Sequence, residues 1–373
     1  MLGFQPRILA SCALVLLLAA TPRPAATQGA GPADAWESQR LEDVVAEMTT
    51  LAREIVASAD GSPITAMFYD LSQEELLALP GDDPARLDWG YWPRPRAGLP
   101  LRFMSAGQRR LTHELLSSVL SVKGYLKVTH IMQLEDVLEA LETLALPRDV
   151  GEYALVIFGD PSTATPWAWR FEGHHLSLNI SVQGPASISV TPSFLGASPA
   201  EIRSGPMAGL RPLRLEQDLG LALLRSLDAS QRDEAILSES SPGDILSGNM
   251  FQDPDEWEDW RTVLEPDGVA VAGMNAEQRL LVRRILDEVV TTYQPGIARE
   301  ELRRIVVDEL HFAWLGSTDP GEPHYYRIQG PDFVFEFDDA SGDRGHVHTV
   351  WRSRSADFGG SVLQEHYQRS HDH

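Results

Sequence analysis

The stretch YALVIFGDPSTATPWAWRFEGHHLSLNISV, residues 153–182, decides the fold of this chain. Upstream of it, apolar residues recur at the three- and four-residue steps of an amphipathic helix. Within it, apolar, aromatic and β-branched residues form runs of strand length. The stretch therefore predicts a strand from residue 153 and a single long strand over residues 167–182.

The segment before this stretch is predicted to be helical. Apolar spacing predicts a helix over residues 41–55, and Ser72 with Glu75 and Ser105 with Gln108 have the spacing of helix-initiating capping boxes. The later helix should break near Gly124 and resume over 130–144. Between the helices that begin at Ser72 and Ser105, residues 80–100 are too rich in proline, glycine and tryptophan to form a regular element.

The part after this stretch alternates again between the two patterns. Helices are predicted over 214–238 and after the capping box of Asn275 and Gln278, and strands over 311–317, 324–330, 332–339 and 346–352. The predicted fold class is α+β, with a helical N-terminal part packed on a mixed, largely antiparallel sheet built from strands of the middle and C-terminal regions. Neither strand block is large enough to stand alone, so residues 36–373 should form a single α+β domain.

The first 30 residues have the pattern of a secretory signal peptide and linker. Arg7 precedes an apolar run over 8–20, which is shorter than the ~20 residues of a membrane-spanning helix, and small residues and prolines follow. We therefore expect an exported protein, periplasmic or extracellular, with no stable membrane insertion after cleavage. Cys12 is the only cysteine and lies in this segment, so thiolate chemistry is excluded from the mature chain.

The charge balance restricts the partners. Lys and Arg number 31 against 54 Asp and Glu, a formal net charge of −23 at pH 7. A surface this acidic repels phosphate backbones and anionic membranes, which excludes nucleic acid as an expected partner. A cationic or neutral ligand, or a metal ion, fits the composition better, and we expect the partner to be a small molecule or peptide.

Two histidines one residue apart begin the predicted strand HVHTVWR. Because strand residues two apart share a face, His346, His348 and Arg352 should lie together, opposite Val347 and Trp351. A His-x-His pair supplies two metal ligands from a rigid support. The alternative is an exposed polar strand face.

The preceding strand, DFVFEFDD, carries acids that could serve this face. Glu336 or Asp338 could reach the histidines across a hairpin and act as a base or orient an imidazole. The strand register needed to choose between them does not follow from the sequence.

A second histidine pair lies in the segment RFEGHH. Adjacent strand residues face opposite ways, so His174 and His175 cannot both enter one site unless Gly173 introduces a bulge. We expect one of the pair to be a core histidine and the other to be a ligand or general base. Glu172 shares a side with His174.

The C-terminal segment ADFGGSVLQEHY adds two candidates. Asp357 is followed by two glycines and either caps a helix or pairs with Arg352 or a histidine. His366 lies on a predicted final helix over 361–369 that folds back on the strands.

Several of these segments resemble a bacterial domain-of-unknown-function family, number 3500. The similar segments are GHHLSLN (173–179), TPSFLGASPAE (191–201), HYYRIQGPDFVFEFDD (324–339) and HVHTVWRSRSADFGGSVLQEHY (346–367), with PARLDWGYWP (84–93) upstream. The resemblance covers nearly everything after the predicted signal peptide. It implies no particular reaction, but it implies that both histidine blocks belong to one domain.

These residues support three hypotheses. The first is an exported enzyme with a divalent metal ion (zinc, copper or iron) held by His346, His348, one of His174 and His175, and His366. In it, Arg352 clamps an anionic substrate group, and Glu336, Glu172 or Asp357 acts as base or supports a ligand. We favour hydrolysis over oxidation because it is the commoner exported chemistry.

The other two hypotheses need no catalysis. In one, a secreted protein binds a small ligand or peptide, and the tryptophans of DWGYWP, PWAWRF and EWEDWR form the recognition wall. In the other, the histidines are structural and bonded to backbone carbonyls.

Overall fold

A computed structural model describes residues 39–66, 69–141, 149–162, 164–248, 265, 267–319, 321–339 and 345–360. The predicted signal peptide and linker (1–30), the tryptophans of EWEDWR, and His366 with its predicted helix lie outside the described residues. Among the residues that are described, no helix has the length and apolar character needed to span a membrane.

Capping boxes begin the helices at the predicted places. At Ser72, Ser105 and Asn275 the side chain accepts a hydrogen bond from the backbone N–H three residues on, and the residue three positions later bonds back. The helices are α1 Leu41–Ser58, α2 Gln73–Leu77, α3 Ala106–Val119, α4 Val122–Leu141, α5 Arg214–Ser226, α6 Ala229–Ala235, α7 Ala276–Val290 and α8 Pro295–Arg304.

The predicted helix break near Gly124 is wrong. Gly124 lies inside α4, and the chain breaks instead at Leu120 and Ser121, between α3 and α4. A Cβ atom at Gly124 would stand 1.9 Å from the carbonyl oxygen of Thr292. The glycine therefore permits close packing between the start of α4 and the end of α7, and it does not end a helix.

The strands form one large sheet and a separate hairpin. They are β1 Pro63–Ala66, β2 Tyr69–Ser72, β3 Ala78–Leu79, β4 Leu99–Pro100, β5 Ala154–Phe158, β6 Trp167–Gly173, β7 Leu176–Gly184, β8 Ser187–Ser189, β9 Ser193–Ala197, β10 Ile236–Ser238, β11 Val269–Ala270, β12 His311–Gly316, β13 His324–Gln329, β14 Phe333–Asp339 and β15 Val347–Ser353. β1 pairs only with β2. The large sheet has the order β10-β12-β13-β14-β15-β9-β7-β6-β5-β3, with β11, β4 and β8 paired at its margins.

The α+β prediction is confirmed. The sheet is mixed and largely antiparallel: β3–β5 and β10–β12 are its parallel pairs, and the other paired strands run antiparallel. Helices dominate the N-terminal part, and the strands come mostly from the middle and C-terminal regions, as expected. β15 lies beside β9, which brings the C-terminal strand block against the middle one.

The prediction of one long strand over 167–182 is wrong. The segment forms two antiparallel strands, β6 and β7, with His174 and His175 as the two-residue turn between them. His175 has a backbone φ of 61°, a left-handed conformation that reverses the chain. The polar triplet Gly-His-His interrupts an otherwise continuous β pattern, and this is where the chain turns.

The sheet has one apolar and one polar face. The apolar face packs against the helices in the main core and includes Trp169, Leu178, Leu195, Phe335, Phe337 and Trp351. We define the polar face by the buried side chains Arg170, Glu172, Glu336, Asp338, His348 and Arg352. The connection over residues 80–98, the loop over 239–248 and the turn at 357–359 cover it through a small apolar cluster that includes Trp89, Tyr91, Ile245 and Phe358.

Candidate metal centre

Three imidazoles from the two histidine blocks converge at one end of the polar face. His175 comes from the β6–β7 turn, His348 from β15, and His346 from the residue just before that strand. Their ligand nitrogens all lie within 4.8 Å of one another. The expected convergence of the two blocks is therefore observed, although the residues are about 170 positions apart in the chain.

Strand order explains this convergence. β9 lies between β15 and β7, and its Gly196 is the direct neighbour of His348. The backbone N–H of Gly196 also donates to the carbonyl of His175 at 2.8 Å. Because Gly196 has no side chain, the rings of His175 and His348 pack over it; a Cβ there would lie 2.9 Å from a carbon of each ring.

Hydrogen bonds at both sides of His175 maintain its unusual backbone conformation. Its N–H donates to the carbonyl of Tyr91 at 2.8 Å, and its carbonyl accepts from Gly196. A non-glycine residue in the left-handed region costs about 1 kcal/mol, and such conformations are concentrated at functional sites. The turn thus directs the His175 ring toward His346 and not out of the sheet.

The nitrogens of His175 and His346 are in direct contact. Their Nε2 atoms lie 2.7 Å apart, so one of them carries a hydrogen and donates a hydrogen bond that the other accepts. Two nitrogens bound to one tetrahedral zinc are about 3.4 Å apart, given bonds of 2.0–2.1 Å. The two nitrogens would have to move about 0.7 Å further apart to bind one ion. His346 is partly exposed and precedes the strand, so it is the residue placed to move.

His348 has a fixed ring orientation and an available nitrogen. Its Nδ1 lies 2.8 Å from Oδ1 of Asp244, while its buried Nε2 has no hydrogen-bond partner among the described residues. A carboxylate on one imidazole nitrogen fixes the tautomer in which the other nitrogen has a free lone pair. Only 4% of His348 is exposed, so this nitrogen does not face bulk solvent.

Asp244 is anchored for this role. The Tyr91 hydroxyl donates to its Oδ2 at 3.0 Å, and the N–H of Ile245 donates to its Oδ1 at 2.7 Å. Burial opposes ionisation of Asp244, but the hydrogen bond from His348 and these two others outweigh it and hold the pKa of this carboxyl below its usual value. Burial beside Asp244 in turn raises the pKa of Tyr91.

His174 lies at the edge of the cluster. Its Nδ1 is 2.6 Å from Oε1 of Glu135, which is buried on α4, and its ring lies 3.8 Å from that of His175 between centroids. Glu135, His174 and His175 form a second group whose ligand atoms lie within 4.8 Å of one another. Both histidines of the pair are therefore at the site, because the turn relieves the alternation that a strand would impose.

Asp338 is the acid that the register places beside the histidines. It lies directly across from His348 on β14, and it forms a third close group with His348 and Asp244. Burial, reinforced by the carboxylates of Asp244, Asp339 and Glu336, raises the pKa of Asp338 to about 8. The sequence left open whether Glu336 or Asp338 reaches the histidines, and the strand register shows that it is Asp338.

Glu336 lies on the polar face but serves the loop over 239–248. Its carboxylate accepts from the N–H groups of Leu246 and Ser247, from the Ser247 hydroxyl, and from the Tyr325 hydroxyl at 2.8 Å. Glu336 is fully buried. These bonds hold the loop that carries Asp244 against the sheet.

Arg352 and Asp357 form a buried ion pair. The Arg352 Nε donates to Asp357 Oδ2 at 2.7 Å, and its Nη1 donates to the carbonyl of Ser247 at 2.6 Å. Burial raises the pKa of Asp357, although Arg352 acts in the opposite direction. Of the alternatives for Asp357, the pairing with Arg352 is observed. Both contacts connect Arg352 to segments that cover the polar face, the turn at 357–359 and the loop over 239–248.

Glu172 is surrounded by arginines. Its two oxygens lie 3.2 Å from Nε of Arg96 and 3.2 Å from Nε of Arg170, and one accepts from the N–H of Gly90 at 3.0 Å. Arg94 lies 3.5 Å away. The contacts from Gly90, Arg94 and Arg96 therefore hold the connection over residues 80–98 against β6.

The tryptophans of PWAWRF do not form a recognition wall. Trp167 and Trp169 are on the apolar face and are fully buried in the main core, so that part of the binding hypothesis is wrong. Of DWGYWP, Trp89 is buried over the polar face, and its ring lies 5.7 Å from the Arg352 guanidinium. Trp92 is half-buried.

Sequence reasoning missed Asp244, Tyr91, Glu135 and Gly196. Asp244 lies in a serine-rich loop whose acids look like solvated residues, and Glu135 lies on a helix with other acids. No spacing rule links them to histidines more than 30 positions away. Gly196 had one usable signal, because glycine within a strand indicates a close approach by another group.

Comparison with known proteins gives a family but no activity. The family model described as "Protein of unknown function (DUF3500)" matches residues 45–360. This range includes every residue of the histidine cluster and its acids. Searches of curated proteins and of solved structures gave no match.

Proposed function

The chain belongs to the DUF3500 family, and we propose that this member is an exported metal-dependent enzyme, with hydrolysis as its reaction class. Its centre would hold one divalent ion, zinc, copper or iron, through Nε2 atoms of His175, His346 and His348. Export is proposed from the N-terminal sequence pattern alone.

One observation carries the metal proposal: the buried Nε2 of His348 lacks a hydrogen-bond partner among the described residues and belongs to a three-imidazole cluster. A buried polar atom without a partner costs about 1–3 kcal/mol. Binding an ion through this nitrogen removes that cost. The core residue His324 also has a buried Nε2 without a partner among the described residues, but it belongs to none of the groups of side chains that could hold a metal. The two neighbouring imidazoles therefore distinguish His348 from a structural histidine.

The ligand set is suited to catalysis. Three neutral imidazoles leave a fourth position open on a tetrahedral ion, as in catalytic zinc sites with three protein ligands. Such an ion lowers the pKa of a bound water to about 7 and supplies hydroxide at neutral pH. His346 is partly exposed, whereas His175 and His348 are buried.

The protein's own groups have separate tasks at this centre. Asp244 holds the Nδ1 proton of His348 and keeps its Nε2 lone pair directed at the cluster. Gly196 provides the space in which two rings approach each other. Asp338 lies directly across from His348 and places a carboxyl group next to this ligand.

Metal content tests the centre. We expect about one equivalent of zinc, copper or iron in purified mature protein. His348→Ala and His175→Ala should each lower the affinity at least about 100-fold, because each removes one of three ligands. His113→Ala is the matched control, since His113 is half-buried and bonded to Tyr125 on the helical side of the molecule.

Activity tests the enzyme. Ester and amide substrates should be hydrolysed by the loaded protein, and this activity should be lost in His348→Ala but retained in His113→Ala. If no loading condition gives stoichiometric metal, the metal centre is refuted. Stoichiometric metal without turnover of any ester, amide or oxidase substrate would leave a binding protein.

A further inference from the structure

A carboxylate oxygen beside the histidine centre is buried without a hydrogen bond from the described residues. Oδ2 of Asp338 is buried and has no hydrogen-bond partner among the described residues, and Oδ1 has only a long contact of 3.5 Å from the Ser241 hydroxyl. Asp338 is 0% exposed, so it does not face bulk solvent.

The other buried acids of the polar face differ from Asp338. Both carboxylate oxygens of Glu336, Glu172 and Asp357 contact N–H groups, hydroxyls or guanidinium groups. Asp338 therefore differs from the two other buried acids of the polar face and from Asp357 in the covering turn.

A proton alone does not account for Asp338. A protonated carboxyl has an O–H that needs an acceptor, and Oδ2 has none among the described residues. The carboxylate oxygens of Asp244 each have two lone pairs, so they can contact a cation in addition to the hydrogen bonds that they already accept. The ligand atoms of Asp338, Asp244 and His348 lie within 4.8 Å of one another, and a cation placed among them would be in reach of both carboxylates.

We propose that Asp338 and Asp244 bind a second divalent cation, of the oxygen-preferring class of Mg²⁺ and Mn²⁺, next to the histidine centre. Carboxylate oxygens are the ligands this class prefers, and one or two carboxylates with water and substrate form its usual set. His348 then lies between the two cations, with Nε2 toward the histidine centre and Nδ1 toward Asp244. The inference rests on the proposed function in one respect only, namely that His348 is a ligand of the histidine centre.

The second cation narrows the substrate class. Two adjacent divalent ions suit the displacement at an ester whose attacking and leaving oxygens both carry charge, with phosphate esters as the leading case. A single histidine-bound ion has no such preference.

Manganese binding to zinc-loaded protein tests the inference. Electron paramagnetic resonance and calorimetry should detect one Mn²⁺ site in addition to the zinc. Asp338→Asn should weaken Mn²⁺ binding at least about tenfold and retain zinc, because the substitution replaces one charged oxygen by a neutral amide of the same shape. Near-ultraviolet circular dichroism checks that this variant folds.

Two variants separate this proposal from the histidine centre. Asp339→Asn is the matched control, since Asp339 is equally buried and adjacent in sequence but lies on the other face of β14, where it accepts from Gln217 at 3.0 Å. It should retain both metals. His346→Ala should lose zinc and retain Mn²⁺.

Unchanged Mn²⁺ affinity in Asp338→Asn, or no Mn²⁺ site in the wild type beyond the histidine ligands, would overturn the second site and leave the first intact. Mn²⁺ binding that depends on Asp338 in a protein that never takes zinc would refute the histidine centre and leave this one.

Discussion

Replacing Gly196 with alanine should damage the histidine centre without removing any ligand. Gly196 lies in β9 between the two strands that carry the histidines. A Cβ atom there would be 2.9 Å from Cδ2 of His175, 2.9 Å from Cδ2 of His348 and 3.2 Å from the carbonyl oxygen of Val347. The backbone at this position needs no positive φ, so the effect arises from the added methyl group alone.

The size of the effect follows from these distances. Carbon atoms in contact are ordinarily about 3.5–4.0 Å apart, so the two rings would each have to move by about 0.6 Å or more. A metal site tolerates about 0.5 Å of ligand displacement. We expect metal affinity to fall about 10- to 100-fold and the free energy of unfolding to fall by about 1–3 kcal/mol through overpacking.

Competition with a chromophoric chelator measures the affinity, and urea unfolding of the metal-free protein measures the stability. Gly184→Ala is the matched control, because Gly184 ends β7 and a Cβ there would meet nothing within 4 Å. If Gly196→Ala bound zinc as tightly as the wild type, the three rings would not share an ion over this glycine.

Two further predictions concern stability. Burial raises the pKa of Glu301 to about 7 from about 4.5. Its contribution to the free energy of unfolding is therefore fully present below about pH 4.5 and is lost as the pH rises through 7. Glu301→Gln should remove up to about 3 kcal/mol of this pH dependence, and Glu277→Gln, at an exposed position on another helix, should not. A pH profile of urea unfolding that is identical in wild type and Glu301→Gln would contradict this. Arg352→Ala should lower the free energy of unfolding by about 3 kcal/mol, because it leaves Asp357 buried without its cationic partner, whereas exposed Arg354→Ala should change it by less than about 0.5 kcal/mol. Equal losses in the two arginine variants, measured in the same urea titration, would show that the buried pair contributes nothing.

Local patterns predicted most of the secondary structure, because they depend on neighbours close in sequence. The capping boxes at Ser72, Ser105 and Asn275 and the strand alternation of HVHTVWR needed no tertiary information. The errors at Gly124 and at residues 167–182 arose where a distant contact or a two-residue turn overrode the local pattern. The glycine responds to Thr292, which is far away in the chain.

The candidate site divides in the same way. Amino-acid types alone selected His346 and His348, because imidazoles at strand spacing suit metal ligation, together with one of His174 and His175. They did not choose between these two, and His366, also selected, lies outside the described residues. Their acid partners were outside such reasoning: Asp244 and Glu135 reach the rings only through a covering loop and a packed helix. The register of β14 against β15 placed Asp338, and not Glu336, opposite His348.

By itself, the amino-acid sequence determined the fold class, the faces of the strands and the histidines that have the chemistry for a metal. Those properties follow from residue type and from the periodicity of the backbone, which act over a few residues. Tertiary structure alone decided that β9 joins the two strand blocks, that the chain turns at His174 and His175, and which nitrogen and oxygen atoms remain unpaired. Pairing and burial depend on groups that meet only when distant segments pack, and no local pattern records those meetings.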